Sequence, residues 1–181
     1  PLRDVDISFK FAAMTPMQVH HAMNDPISTV KMNKIDTLII GGGDMDPLLI
    51  NRVSKLTGHV YHTYGMTETL THIAVKNLSG SDADDLFHAL PGVHFRQDDR
   101  DCLVITDEEL EIRHMVTNDQ VRLASAKTFS YLGRMDNVIN SGGLKINPEI
   151  IEADDEVVSE AFVLEERQRH LAALRPTGER R

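Results

Sequence analysis

A chain of 181 residues, 41% hydrophobic and 26% charged, can bury a core and reads as one domain or as one large and one small unit. Its net charge of −9 excludes a broad nucleic-acid surface, which needs concentrated Lys and Arg, but leaves room for a small anion held by backbone N–H groups. With no tryptophan and a single cysteine it offers neither an aromatic-rich groove nor an internal disulfide, and a reducing, cytoplasmic setting is expected.

The opening PLRDVDISFKF reads as the interior of a domain, so a fragment of a longer protein is expected. Alternation in DISFKFAAM (6–14) predicts a strand, and TPMQVHHAM (15–23) a helix capped by Thr15 with Pro16 at its first position. IDTLIIGGG (35–43) reads as a buried strand entering a glycine loop. Asp46-Pro47 then caps a helix through LLINRVSKL, closed by Gly58. HVYHTY (59–64) is the next strand. This order fits an α/β layer with strands buried on both faces. After the acidic loop SGSDADD (79–85), LPGVHF, DCLVITDEELEIRHM and KTFSYLGRMDNVI read as short strands between turns. Cys102 lies inside one of these apolar runs and is expected to be a small buried side chain. The stretch from Ile146 onward contains a Pro-initiated helix and a second, amphipathic one. No apolar run reaches membrane-spanning length, and no basic-then-apolar leader opens the chain.

Four segments carry polar chemistry at junctions. GGGD (Gly41, Gly42, Gly43 and Asp44) lies between a strand and a helix, where open α/β sheets bind nucleotides, although a tight structural turn is the commoner cause. In YGMTE, Tyr64 has a ring that can stack on a purine, and Gly65 permits a sharp bend. Thr67 offers a hydroxyl to a phosphate oxygen, and Glu68 offers hard oxygens to magnesium. A capped turn explains the same letters equally well. In TNDQVRL (117–123) Asp119 follows a strand and could accept from two ribose hydroxyls, with a turn-forming Asn-Asp as the plainer reading. In GRMDNVINSGGLKINPEIIE (133–152) Arg134 has a fork suited to phosphate or ribose oxygens, Asp136 sits at a pivot, and Ser-Gly-Gly allows close approach; a hairpin would account for all of it.

The order of these four segments resembles the adenylate-forming superfamily of acyl- and aryl-CoA synthetases, luciferases and peptide-synthetase adenylation domains. YGMTE resembles its adenine and magnesium motif, and TND its ribose-binding Thr-Gly-Asp with Asn118 in place of glycine. GRMDNVINSGG…INPEIIE resembles its interdomain hinge. The YGMTET-LTHIA context, LPGVHF and TND are most similar to the o-succinylbenzoate–CoA ligases of menaquinone biosynthesis.

The resemblance implies an α/β fold, the C-terminal part of the large domain (sheet layers with helices) over 1–135 and a hinge with a remnant of the small α+β domain over 136–181. It implies an ATP-dependent acid–CoA ligase with ATP, Mg²⁺ and coenzyme A as its small molecules, no nucleic-acid partner, and room for a homo-oligomer. Tyr64 and Gly65 would then meet adenine, Gly41–Gly43 the adenine and acyl pocket, Thr67 the α-phosphate, Glu68 the magnesium, Asp119 the ribose, and Arg134 the ribose–phosphate edge. Asp136 would be the hinge and Gly142 and Gly143 would approach coenzyme A. His72, four residues past Glu68 on a presumed helix, would line the acyl pocket, with Lys76 continuing that spacing. The family's phosphate loop and late catalytic lysine have no counterpart; in RPTGER Glu179 stands where the lysine is expected. Other aryl or fatty acyl-CoA synthetases, and a non-catalytic nucleotide-binding module, remain the alternatives. His59, His62, His20 and His21 are expected to be satisfied or solvent-facing rather than metal ligands, because residues three apart on a strand face opposite sides.

Overall fold

The computed structural model describes residues 2, 8–137, 139–141 and 144–146. Three strands run parallel: β1 (Phe11–Met14), β2 (Thr37–Ile40) and β3 (His59–Gly65). Their crossovers carry the helices α1 (Pro16–Met23), α2 (Pro26–Met32) and α3 (Pro47–Val53). All three helices start by one device, a capping oxygen followed by proline at the first helical position. Thr15, Asp25 and Asp46 accept from the N–H groups of Gln18, Ser28 and Leu49, each cap stabilising by about 1 kcal/mol. At α1, Gln18 returns the bond to the Thr15 N–H and completes a capping box.

The chain then turns antiparallel through β4 (His72–Asn77), β5 (Phe87–Ala89), β6 (Val93–Gln97), β7 (Cys102–Asp107), β8 (Ile112–Ser125) and β9 (Thr128–Arg134). Together these form one nine-stranded sheet in the order β1-β2-β3-β4-β5-β9-β8-β7-β6. A 3-10 turn, Met135–Asn137, leads into a short hairpin of β10 (Ile139–Ser141) and β11 (Leu144–Ile146). The mixed sheet with its helices bears out the α/β fold class. No helix among the described residues is long and apolar enough to cross a membrane.

Two apolar cores hang on this sheet. One gathers Val19, Ala22, Met32, Leu49 and Val53 of the helices against Leu38, Ile40 and Val60. The other is aromatic, with Phe87, Phe95, Phe129 and Tyr64 packed around Ile73, Leu103 and Ile105. Strand β3 connects them, because period-two alternation turns Val60, His62 and Tyr64 the same way, into the first core, the gap and the second core. Cys102 is fully buried in β7, as its apolar setting requires.

Several expectations are corrected. The first strand begins at Phe11, and β2 and β3 alternate between buried and half-exposed residues instead of being buried on both faces. Helix α3 ends at Val53 with Ser54 as its cap, so Gly58 does not close it. Gly58 is needed because a Cβ there would lie 2.1 Å from the Ile35 carbonyl oxygen. Residues 68–76 are not a helix: Thr67–Thr69 is a 3-10 turn and His72–Asn77 is β4, so Glu68, His72 and Lys76 share no helical face. Asn118 and Asp119 lie inside the fourteen-residue β8, not in a turn after a strand. The helices expected after Ile146, and Gly142 and Gly143, lie outside the described residues.

Candidate functional site

Ligands of open α/β sheets bind beyond the carboxyl ends of the parallel strands. Here those ends are Met14, the Gly41–Gly43 loop and the Tyr64–Thr69 segment, and two clefts meet there. In the loop, Gly42 has φ +81, a left-handed conformation natural to glycine, and the Gly43 carbonyl accepts from His62 Nε2 at 3.1 Å. The Gly41 N–H donates to the Met14 carbonyl, which ties the loop to the end of β1.

The YGMTE segment turns for a different reason from the one its glycine suggests. Gly65 does not have a left-handed φ; Leu70 does, at φ 60. Gly65 is required by close approach, since a Cβ there would sit 2.5 Å from the Thr71 carbonyl oxygen and 2.6 Å from His72 Cα. The hydroxyl that ties the turn belongs to Thr69, which is fully buried, accepts from the Met66 N–H at 3.1 Å and lies 2.7 Å from the Thr71 carbonyl it donates to. Thr67 and Glu68 are exposed and make no side-chain hydrogen bond among the described residues. The turn therefore does not consume the two polar groups that make the motif unusual.

The first cleft, about 600 Å³, is lined by Gly42, Gly43, Tyr64, Gly65, Glu68, Asp119 and Arg134 of the expected residues, with Asp44, His62, Thr117, Asn118 and Tyr131. That size lies within the range of small-molecule sites, about 300–1,000 Å³. Tyr64 comes from β3 and Asp119 from β8, 55 residues apart in the chain, yet the Tyr64 hydroxyl donates to Asp119 Oδ2 at 2.5 Å. Burial, and then the Asp119 charge, push the Tyr64 phenol far above its ordinary range, so it stays a donor. Its ring meets Phe129 edge-on at 5.2 Å and lies 5.8 Å from Phe87, which fixes its plane. Asp119 pairs across the ladder with Arg134, whose Nε is 4.0 Å from Asp119 Oδ1. Arg134 Nη2 donates to Asp136 Oδ2 at 3.1 Å, and Asp136 raises the guanidinium pKa further, with Asp119 contributing.

The second cleft, about 710 Å³, holds Gly41, Thr67 and His72 beside Thr15, Gln18, Ile39 and Leu70. It shares Gly42, Thr63, Gly65 and Met66 with the first, so one thin wall separates the two. His72 Nδ1 is 3.3 Å from Thr71 Oγ1. Asp136 lines neither cleft but is tied to the first through Arg134.

His62, grouped with ordinary histidines on sequence, is only 4% exposed and lines the first cleft. Burial lowers its pKa, opposed by the bond to Gly43; the nearby Lys76 adds to the lowering and Asp44 resists it. Its Nδ1 is buried with no hydrogen-bond partner among the described residues. The alternation that aims Val60 and Tyr64 inward was the available signal, since it aims His62 with them. His59, on the opposite face, is exposed. Among the described residues no group of three His, Cys, Asp or Glu side chains is placed to hold a metal ion by itself. Glu68 supplies one exposed carboxylate to the first cleft, which suits Mg²⁺, an ion that keeps several waters and takes one or two carboxylates alongside substrate phosphates.

No family model matches the chain. A curated relative from Mycobacterium tuberculosis strain H37Rv, named "Probable 2-succinylbenzoate–CoA ligase", is 26% identical over 156 residues, 80% of this chain and 39% of its own length. An acyl-CoA synthetase (AMP-forming)/AMP-acid ligase II-like protein from Dyadobacter fermentans superposes with a TM-score of 0.68 at 34% identity, covering 92% of this chain and 47% of that one. O-succinylbenzoate coenzyme A synthetase (MenE) from Bacillus subtilis, in complex with ATP and magnesium ion, gives a TM-score of 0.56 at 16% identity over 76% of this chain and 34% of that one. The chain therefore spans less than half the length of the relatives it matches. In sequence and in fold it resembles part of the AMP-forming acyl-CoA synthetases of the adenylate-forming superfamily.

Proposed function

We propose that this chain forms the nucleotide-binding part of an ATP-dependent acid–CoA ligase acting on o-succinylbenzoate, within a protein whose large and small domains meet near Asp136. The supporting observation is that Tyr64, Glu68, Asp119 and Arg134, drawn from three separate segments, line one cleft of nucleotide size. In this reading adenine lies against Tyr64 and the glycine loop, and the ribose hydroxyls donate to Asp119, which the Tyr64 phenol and Arg134 hold in place. Thr67 faces the α-phosphate at the wall between the clefts, with the acyl group beyond it toward His72. A carboxylate oxygen attacks the α-phosphorus, pyrophosphate leaves, and the coenzyme A sulfur then displaces AMP from the acyl carbon. Gly142 and Gly143 would approach coenzyme A in that second step.

Charge supports the cation as well as the nucleotide. The first cleft carries Asp44, Glu68 and Asp119 against Arg134 alone, so bare polyphosphate would be repelled. A magnesium ion at Glu68 would offset that repulsion and polarise the phosphoryl oxygens. The o-succinylbenzoate assignment draws on the name of the curated relative, and a cytoplasmic setting belongs to the same proposal.

The test is titration calorimetry with AMP, paired with pyrophosphate release over a panel of carboxylic acids. AMP is expected to bind, and Asp119→Ala to weaken it at least about tenfold, the loss of charge-assisted hydrogen bonds worth roughly 1.5–3 kcal/mol. No AMP binding by the unaltered protein would sink the reading. Turnover of another acid in place of o-succinylbenzoate would sink the substrate assignment alone.

A further inference from the structure

The 3-10 turn Met135–Asn137 is the point where the sheet hands over to the rest of the chain, and Asp136 at its centre is gripped twice. Arg134 Nη2 donates to Asp136 Oδ2 at 3.1 Å. Asn118 Nδ2, from β8, lies 3.2 Å from Asp136 Oδ1 and 3.4 Å from Oδ2. The two grips differ in what else they face. Arg134 also lies beside Asp119, so an anionic ligand in the first cleft competes with Asp136 for its guanidinium.

Asn118 is oriented from behind. Arg100, in the turn between β6 and β7, has its Nη1 3.4 Å from Asn118 Oδ1, and its Nη2 donates to the Thr117 carbonyl at 3.3 Å. A guanidinium only donates, so it selects the amide oxygen of Asn118 and turns the NH₂ toward Asp136. Arg100 is itself held by Asp98, at 2.9 Å from Nε, and Asp98 also accepts from the Cys102 and Arg100 N–H groups. The same Arg100 Nη1 is 3.8 Å from Met135 Sδ, and Cys102 Sγ is 3.9 Å from that sulfur, which places the start of the 3-10 turn on the same support.

We propose that Asn118, aimed by Arg100, is a positioning residue that latches Asp136 to β8, so that the turn stays closed when a ligand in the first cleft draws Arg134 away. The latch is a side-chain device: among the described residues, a glycine at 118 would leave Arg134 as the only side chain hydrogen-bonded to Asp136. It rests on the nucleotide reading for the pivot at Asp136 and for the ligand that draws Arg134 away; the Asn118–Asp136 contact itself needs no ligand.

The test is a charge swap read by hydrogen exchange of amides 135–137 in the protein, without ligand and with AMP. Asn118→Asp sets two carboxylates against each other and is expected to speed exchange about fivefold, the scale of an exposed charge contact. Asn118→Asp combined with Asp136→Asn restores a donor facing an acceptor and is expected to return exchange to within about twofold of the original. Amides 120–123 should stay unchanged in all variants, which separates latch opening from general loosening. Asn118→Gly should open the turn further when AMP is added. Unchanged exchange in Asn118→Asp, or a double variant as fast as the single one, overturns the latch. If AMP fails to bind while the swap still rescues, the nucleotide reading falls and the latch stands.

Discussion

His62 shows how one side chain makes stability depend on pH. A denatured chain takes up a proton on this ring near pH 6.5, whereas burial depresses the folded value. Below about pH 6.5 the unfolded state therefore binds more protons, and stability falls as pH drops, by up to about 1.4 kcal/mol per pH unit, until the folded value is reached. Above pH 6.5 both states are neutral and the ring adds no slope. Melting curves between about pH 5.5 and 7.5 should show this acid loss, and His62→Gln should flatten it. If the variant kept the full slope, the depressed histidine would not be its source. Because His62 Nε2 donates to the Gly43 carbonyl in either state, the added proton goes to Nδ1, and the bond that holds the glycine loop is kept. The alternation of β3 aims His62 with Val60 and Tyr64, but the depth of its burial depends on which face of β3 the second core covers.

At the scale of elements, the β3–β4 junction repays comparison with its sequence. Tyr64, Glu68 and Asp119 were legible as candidates through the order of their segments, which resembles that of a known superfamily; the letters of each junction alone fit a turn as well. The local geometry was not legible, because a spacing of four between Glu68, His72 and Lys76 fits a helix as well as a turn followed by a strand. Pairing with β3 and β5 decides in favour of the strand, and that pairing is long-range. Two of the three helices, by contrast, were read from adjacent cap and proline letters, α1 to its observed end and α3 wrongly only at its end, whereas α2, with the same Asp25-Pro26 signal, was not read. Gly65→Ala would push a methyl group into backbone atoms that have no side-chain freedom to give way. Overpacking of this kind costs roughly 1–3 kcal/mol. The expected result is a lower melting temperature together with weaker AMP binding, and a variant that kept both would show that the junction can shift freely.

For the whole molecule, the decisive feature is that both cores share one sheet and meet at β3. Phe129 is fully buried, 4.9 Å from Phe95 and 5.2 Å from Tyr64 between ring centroids. Phe129→Ala should lower stability by about 3–5 kcal/mol through cavity formation. With a continuous sheet the loss should appear in a single calorimetric transition, and two separate transitions would show the cores to be independent units. The α/β class and parallel start could be read from the sequence; the closing antiparallel half could be read as strands but not as a continuation of the same sheet, because strand order is set by contacts far apart in the chain.

Strand β8 runs for fourteen residues, with β7 on one side and β9 on the other, and Asp119 lies near its middle. A carboxylate mounted there is already immobile before any visitor arrives, so its wall gives up little freedom on binding. The facing wall is a glycine loop and a 3-10 turn, which lie outside the ladder and are held by local bonds such as Gly41 N–H to the Met14 carbonyl and Met66 N–H to Thr69 Oγ1. Discrimination between similar guests should then be written mainly into the yielding side, while the rigid side acts as a common anvil against which all of them are measured.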